Sequence, residues 1–221
     1  MIAETRLAEM LCTRLCHDLT GPIGAVNNGA EFLGDEGFDM QNEAVQLILS
    51  SAHEAVNRLQ FYRQAYGRVS DSGEACLADK KQLAQNFFSG SKITLDWPDT
   101  HTDAAGISIS QKMSRLILNM LIVAASSLIR GGTISVRLAL TETGDKQILM
   151  TGAGETIKLD TDTVAILKGE ADEALLSPKT AQIFLTLKIA EEVGAHLTFG
   201  AHNDKLELFA TQRHLAVAAA S

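Results

Sequence analysis

Near the start of the chain, apolar residues recur at helical spacing over more than six turns, and no other feature restricts the fold as much. Leu7, Leu11, Leu15, Leu19, Ile23, Val26, Ala30 and Leu33 follow one another at intervals of three and four. At about 100° per residue they fall within one arc of roughly 160°. Pro22 lies inside the run, where it should kink the helix or free a carbonyl. Gly34 to Phe38 (GDEGF) predicts a turn. A second helix follows from about Asn42 to Tyr66, with a stripe through Val45, Leu49, Ala52, Val56, Leu59 and Tyr62, and Gly67 ends it. Two amphipathic helices joined by a short loop cannot bury both stripes by themselves. The expected remedy is a second copy of the chain, giving a four-helix bundle about a two-fold axis.

Past this hairpin, Gly67 to Glu74 is small and polar and reads as a linker. The remainder predicts a helix over Leu77–Phe88, a strand over Ile93–Trp97 and a long helix over Ser110–Ile129 closed by Gly131 and Gly132. Strands are expected over Thr133–Thr141 and Gln147–Thr151, then a charged loop from Asp160 to Ser177. A helix from Pro178 to Val193 has Pro near its start and Gly194 just past its end, and strands over His196–Phe199 and Leu206–Thr211 close the chain. Helices and strands mix without regular alternation, so the fold class is α+β, a layered sandwich behind a helical hairpin. The expected domains are 1–67 and 75–221.

With 46% apolar and 21% charged residues, the chain can bury a sizeable core as an ordinary globular protein. A net charge of −8 and the lack of a basic run argue against a nucleic-acid partner. The N-terminus lacks the pattern of a signal peptide, and the greasiest stretch, Leu116 to Ile129, is broken by polar residues and too short to span a bilayer. Cys12, Cys16 and Cys76 are odd in number and unsuited to a disulfide framework. A cytoplasmic protein without membrane attachment is the expectation.

His17 lies on the wheel about 180° from the centre of the leucine stripe. Its helical neighbours Thr13, Arg14, Thr20, Gly21 and Gly24 are polar or small, which suits close approach by another protein. Asp18 follows directly. Imidazole titrates near neutral pH and its free nitrogen is a good phosphoryl acceptor, while an adjacent carboxylate can orient the ring or accept its proton. Position alone is also compatible with a plain solvated histidine. Cys12, Cys16 and His17 make a poor tetrahedral metal site, because the cysteines sit at the edge of the apolar arc and the histidine points elsewhere. The two cysteines read instead as buried small hydrophobes. His53, His101, His196, His202 and His214 read as surface or structural, and Glu170 to Glu173 as a solvated face.

The run H-D-L-T-G-P-I, His17 to Ile23, resembles the phosphoacceptor motif of histidine kinases. The longer stretch LCTRLCHDLTGPIGAVNNGAEFL, with RLQFYRQAYG (Arg58 to Gly67), is similar to the ChpT-type histidine phosphotransferases of alphaproteobacteria. That resemblance implies a dimeric four-helix bundle with His17 as the phosphorylated residue. It also implies phosphorelay partners: the receiver domain of a hybrid histidine kinase and response regulators, with Mg²⁺ in the receiver. Asp18 would act beside His17, and Arg14, Thr20, Gly21, Gly24 and Asn28 on the same face would dock the partner, joined by Arg58 and Arg63 of the second helix. Where many kinases carry Thr or Asn, four places after the histidine, this chain has Gly21, which can position no water; little phosphatase activity is expected.

Ser114 to Val136 resembles the asparagine-bearing helix of a kinase ATP-binding (GHKL or Bergerat-like) domain. Asn119 matches the first asparagine, but Val123 stands at the second. Met150 to Gly154 reads M-T-G-A-G where an adenine-binding carboxylate would begin, and Ser177 to Phe184 lacks phosphate-cradling glycines. Gly152 and Gly154 then read as a turn after a strand. The expectation is a retained fold without nucleotide or metal cofactor, hence a phosphotransferase. A binding-only dimer that inhibits a kinase or regulator is the alternative, with an active histidine kinase a further one.

Overall fold

The computed structural model describes residues 4–34, 41–70, 73–98, 107–170, 172–202 and 205–214. The predicted turn at 35–38, residues 71–72 of the linker, His101, Ala171 and the side chain of His202 lie outside the described residues.

Helix α1 (Glu4–Gly34) and helix α2 (Gln41–Tyr66) form the expected hairpin. Helix α1 stays helical through Pro22, which is buried. Because Pro22 has no N–H, the carbonyl of Asp18, four residues earlier, loses its helical donor. Helix α3 (Leu77–Phe88) and strand β1 (Ile93–Asp96) come next, followed by helix α4 (Gln111–Ser127). Ser110 caps α4, its hydroxyl accepting from the Met113 N–H at 3.1 Å. Strands β2 (Gly132–Leu140) and β3 (Lys146–Ala153) pair antiparallel, and helix α5 (Thr161–Leu167) follows them. Helix α6 (Ala181–Glu192) and strands β4 (Ala195–His202) and β5 (Lys205–Gln212) complete the chain. Gly194, at φ +64°, ends α6 in the left-handed region.

Helix α5 corrects the expectation of a plain loop between 160 and 177. Asp160 accepts from the Thr163 N–H at 2.8 Å and starts a helix too short to show a periodicity. A single 3₁₀ turn over Glu173–Leu175 follows. In this region only the cap residue announced the helix.

The five strands lie in the order β1-β2-β3-β5-β4, with β1 parallel to β2 and every other pair antiparallel. Ile134, Val136, Ile148, Met150, Leu206, Leu208 and Ala210 point to one face and are buried beneath the helices, while Arg137 and Leu149 alternate to the solvent side. Helix α4 is apolar nearly all round and runs through the middle of the helical layer; Met113, Leu116, Ile117, Leu118, Met120 and Leu121 have no solvent contact.

One end of the hairpin joins this core: Leu7, Phe61, Tyr62 and Ala65 belong to the same buried cluster. Phe61 stacks on Phe87 of α3 with centroids 4.0 Å apart. The rest of the hairpin stays open. Ile23, Leu33, Val45, Leu49, Val56 and Leu59 are exposed although they form the apolar stripes.

Candidate functional site

Leu7 joins the core and Pro22 and Gly29 are buried along α1, Gly29 against Ala44 and Ile48 of α2, while His17 projects outward, its side chain 88% exposed against 22% for Asp18. Asp18 is turned a quarter of the way back toward the interior and meets three groups. Its Oδ1 lies 3.3 Å from His17 Nδ1. Its Oδ2 accepts from the hydroxyl of Tyr62, forty-four residues away on α2. Arg14, one turn earlier on α1, places Nε 3.9 Å from the same oxygen. In the tautomer with its proton on Nδ1, that proton is shared with Asp18 and Nε2 keeps its lone pair on a side chain that is largely exposed.

Behind this trio a polar chain enters the protein. Tyr66 stacks on Tyr62 and donates to Gln182 Oε1 at 2.7 Å. Gln182 donates to Asn119 Oδ1 at 2.9 Å, and Asn119 donates at 2.8 Å to the carbonyls of both Ala65 and Arg115. Arg115 adds an Nε–H to the Ala65 carbonyl at 3.1 Å, which closes the last turn of α2 onto α4. Burial holds the phenols of Tyr62 and Tyr66 un-ionised, raising both above the usual tyrosine range, and the Asp18 carboxylate adds to this at Tyr62. Desolvation pulls the Arg115 guanidinium down, opposed by Glu192 at 3.7 Å.

His17 borders two hollows. The larger, about 680 Å³, separates α1 from the sandwich and is lined by Thr13, Arg14, His17 and Asp18 on one side and Ser126, Ile129, Lys158, Asp160, Pro178 and Lys179 among others on the facing side. The smaller, about 350 Å³, runs along the hairpin between Gly21, Pro22 and Ala25 of α1 and Ser51, Glu54 and Arg58 of α2. Both hollows therefore converge on the imidazole and its carboxylate.

Of the residues expected to share the site, Arg14, Gly21 and Arg58 line these hollows with His17 and Asp18. Arg58 is tied to Glu54 at 2.7 Å. Gly24 and Asn28 continue the His17 face along α1, and a side chain added at Gly21 or Gly24 would meet nothing within 4 Å, so both spots are open ground. Thr20 is exposed, its hydroxyl donating to the Cys16 carbonyl at 2.7 Å. Arg63 is exposed as well, but five residues beyond Arg58 it lies about 140° round the helix and lines neither hollow.

Tyr62, Lys158, Lys179 and Ile129 were not singled out by the sequence. For Tyr62 a signal existed: a phenol inside an apolar stripe needs a hydrogen-bond partner when buried. The residues facing His17 across the larger hollow left no such trace. Cys12 and Cys16, read as buried, are exposed, because the edge of the apolar arc is also the edge of what α2 and the sandwich cover.

The residues compared above with kinase nucleotide motifs have structural surroundings. Asn119 has no solvent contact and its amide is used up in joining α2, α4 and α6. Met150 is fully buried among strands, opposite Val136 and Leu208. Gly152 lies within β3 rather than in a turn after it, and a Cβ there would meet Leu128 at ordinary contact distance. A Cβ on Gly154 would sit 2.5 Å from the Gly131 carbonyl, so Gly154 serves the close approach to the α4–β2 turn. Ser177 and Thr180 satisfy each other, the Ser177 N–H donating to Thr180 Oγ1 at 2.8 Å.

Residues 77–205 match the family model described as the histidine phosphotransferase C-terminal domain. Protein phosphotransferase ChpT of Brucella abortus (strain 2308) is 33% identical over 196 residues, covering 88% of this chain and 90% of the relative. A solved structure titled as a bacterial phosphotransferase superposes with a TM-score of 0.79 at 30% identity, over 95% of this chain and 98% of the other. The histidine kinase AdeS of Acinetobacter baumannii shares the fold, with a TM-score of 0.50 at 9% identity over 89% of this chain and 97% of the other. Sequence, domain and fold agree along nearly the whole length, and the chain belongs to the ChpT-type histidine phosphotransferases.

Proposed function

We propose that His17 is the residue that carries the phosphoryl group as this phosphotransferase passes it between receiver domains of a hybrid kinase and of response regulators. The observation that carries this reading is the outward imidazole with Nδ1 against Asp18, standing where two hollows meet. Nε2 attacks the phosphorus of a receiver's acyl phosphate in line. The N–P bond forms while the O–P bond breaks, and the electron pair leaves with the receiver's carboxylate. The Nδ1 proton stays in place, and the positive charge developing on the ring faces Asp18. Mg²⁺ belongs to the receiver in this scheme. Docking supplies most of the rate, since good alignment of the reactants is worth ~7–11 kcal/mol at its best.

Arg14, Gly21 and Arg58 border the contact with the receiver, Thr20, Gly24 and Asn28 extend it along α1, and Lys158 and Lys179 face it from the sandwich. The exposed stripe through Ile23, Leu33, Val45, Leu49, Val56 and Leu59 is the surface on which a second copy would complete a four-helix bundle. The reading has no role for ATP. Its support is chemical: Met150 offers no carboxylate to an adenine amino group, and the Asn119 amide is committed to the Ala65 and Arg115 carbonyls. The working compartment is taken as the cytoplasm; among the described residues no helix is long and apolar enough to cross a membrane.

Incubation with radiolabelled ATP, alone and then with a phosphorylated hybrid-kinase receiver, tests the assignment. Label is expected on the wild type only with the receiver present, and never on His17→Ala. Label from ATP alone would make the protein a kinase, and a labelled His17→Ala would move the phosphoryl carrier elsewhere.

A further inference from the structure

The Asp18 carboxylate is held from behind. Tyr62 is 2% exposed and its ring is clamped: stacked on Tyr66 at 5.1 Å, and edge-on to Phe87 at 5.6 Å and to Phe61 at 6.2 Å. A ring packed on several sides has little freedom to turn, so its hydroxyl emerges at one fixed point, against Asp18 Oδ2. A carboxylate can only accept, so the phenol is the donor. With Oδ2 fixed by Tyr62 and flanked by Arg14, Oδ1 is the oxygen left to face His17. The imidazole is 88% exposed, and among the described residues Asp18 is its hydrogen-bond partner. Its orientation therefore depends on Asp18, and that of Asp18 on Tyr62.

We propose that Tyr62 is a positioning residue for phosphotransfer: its hydroxyl holds Asp18 in the orientation that keeps the His17 proton on Nδ1 and leaves Nε2 free to attack. This rests on the reading of His17 as the phosphoryl carrier. Tyr62 touches no reacting atom. It acts through the carboxylate that faces the ring as the ring becomes a cation. The same clamp links the reacting end of the hairpin to the sandwich, since Tyr66, stacked on Tyr62, is bonded through Gln182 to Asn119.

Tyr62→Phe keeps the ring and its packing and removes the hydroxyl. Full-length wild type, Tyr62→Phe, Tyr66→Phe and His17→Ala are each mixed with the phosphorylated receiver domain of a hybrid histidine kinase. The readouts are the single-turnover rate at saturating receiver, the half-saturating receiver concentration, and the nitrogen NMR shifts of the His17 imidazole. Loss of a hydrogen bond to a charged group should slow the saturating rate of Tyr62→Phe about ten-fold. The half-saturating concentration should hold, and the imidazole shifts should move from Nδ1–H toward a mixture of tautomers. Tyr66→Phe removes the neighbouring hydroxyl, matches the loss of packing order, and should leave those shifts in place.

A Tyr62→Phe rate within about two-fold of wild type would overturn the proposal. So would a slower rate with unchanged imidazole shifts, which would reduce Tyr62 to packing. Label on His17→Ala would instead overturn the reading beneath it, and that outcome is read from a variant independent of Tyr62.

Discussion

In α4, Leu116, Leu118 and Leu121 keep none of their solvent contact, whereas on α2 Val45, Leu49, Val56 and Leu59 keep between 40% and 54% of theirs. Helix α4 is apolar nearly all round and α2 only along one stripe, but what surrounds the two apolar faces also differs. Helix α4 has a sheet beneath it and α2, α3 and α6 around it. Away from the sandwich, α2 packs among the described residues on α1, and a two-helix hairpin leaves part of each stripe uncovered. Periodicity reports that a face is destined for burial. It does not report whether the cover comes from the same chain.

Three substitutions sharpen or break this contrast. Leu118→Ala in α4 should have the largest effect, a loss of about 2–5 kcal/mol in urea unfolding that does not vary with protein concentration. A loss below about 1 kcal/mol would mean the sandwich is less tightly packed than its burial implies. At the seam between the regions, Asn119→Ala takes the 2.9 Å acceptor from the Gln182 amide and leaves the Ala65 carbonyl with Arg115 alone, and should lower stability by about 1–3 kcal/mol. Circular dichroism of the same variant should keep the wild-type helix content. In the open stripe, Val56→Glu with Leu59→Glu should change the stability of the dilute chain by no more than about 0.5 kcal/mol. That pair should nonetheless halve the mass found by light scattering at concentrations where the wild type is a dimer. An unchanged mass would send the search for the cover to another face.

The seam also explains why so much of the molecule was legible and the site only in part. Helices α1, α2, α3, α4 and α6 follow from stripes, caps and glycine stops, because these are local effects within a few residues. Helix α5 escaped, since seven residues give no period and only the Asp160 cap marks it. His17 and Asp18 stood out because an imidazole opposite a leucine stripe cannot face the core. Arg14 and Gly21 share that helix face and line the hollows beside His17, and Arg58 lines one of them from α2. Arg63 lies on another side of α2 and lines neither hollow. Cys12 and Cys16 were misjudged at the margin of the arc, where a few degrees of helix rotation decide between cover and water.

The sequence by itself determined the hairpin and the outward histidine with its carboxylate, because each depends on residue type and helical phase alone. Only the tertiary structure decided that Tyr62 bonds to Asp18 across forty-four residues, that Asn119 ties α2 to the sandwich, and that Lys158 and Lys179 face His17 across a hollow. Those contacts join elements whose relative placement is set by the packing of the whole core, and nothing local to either partner encodes the meeting.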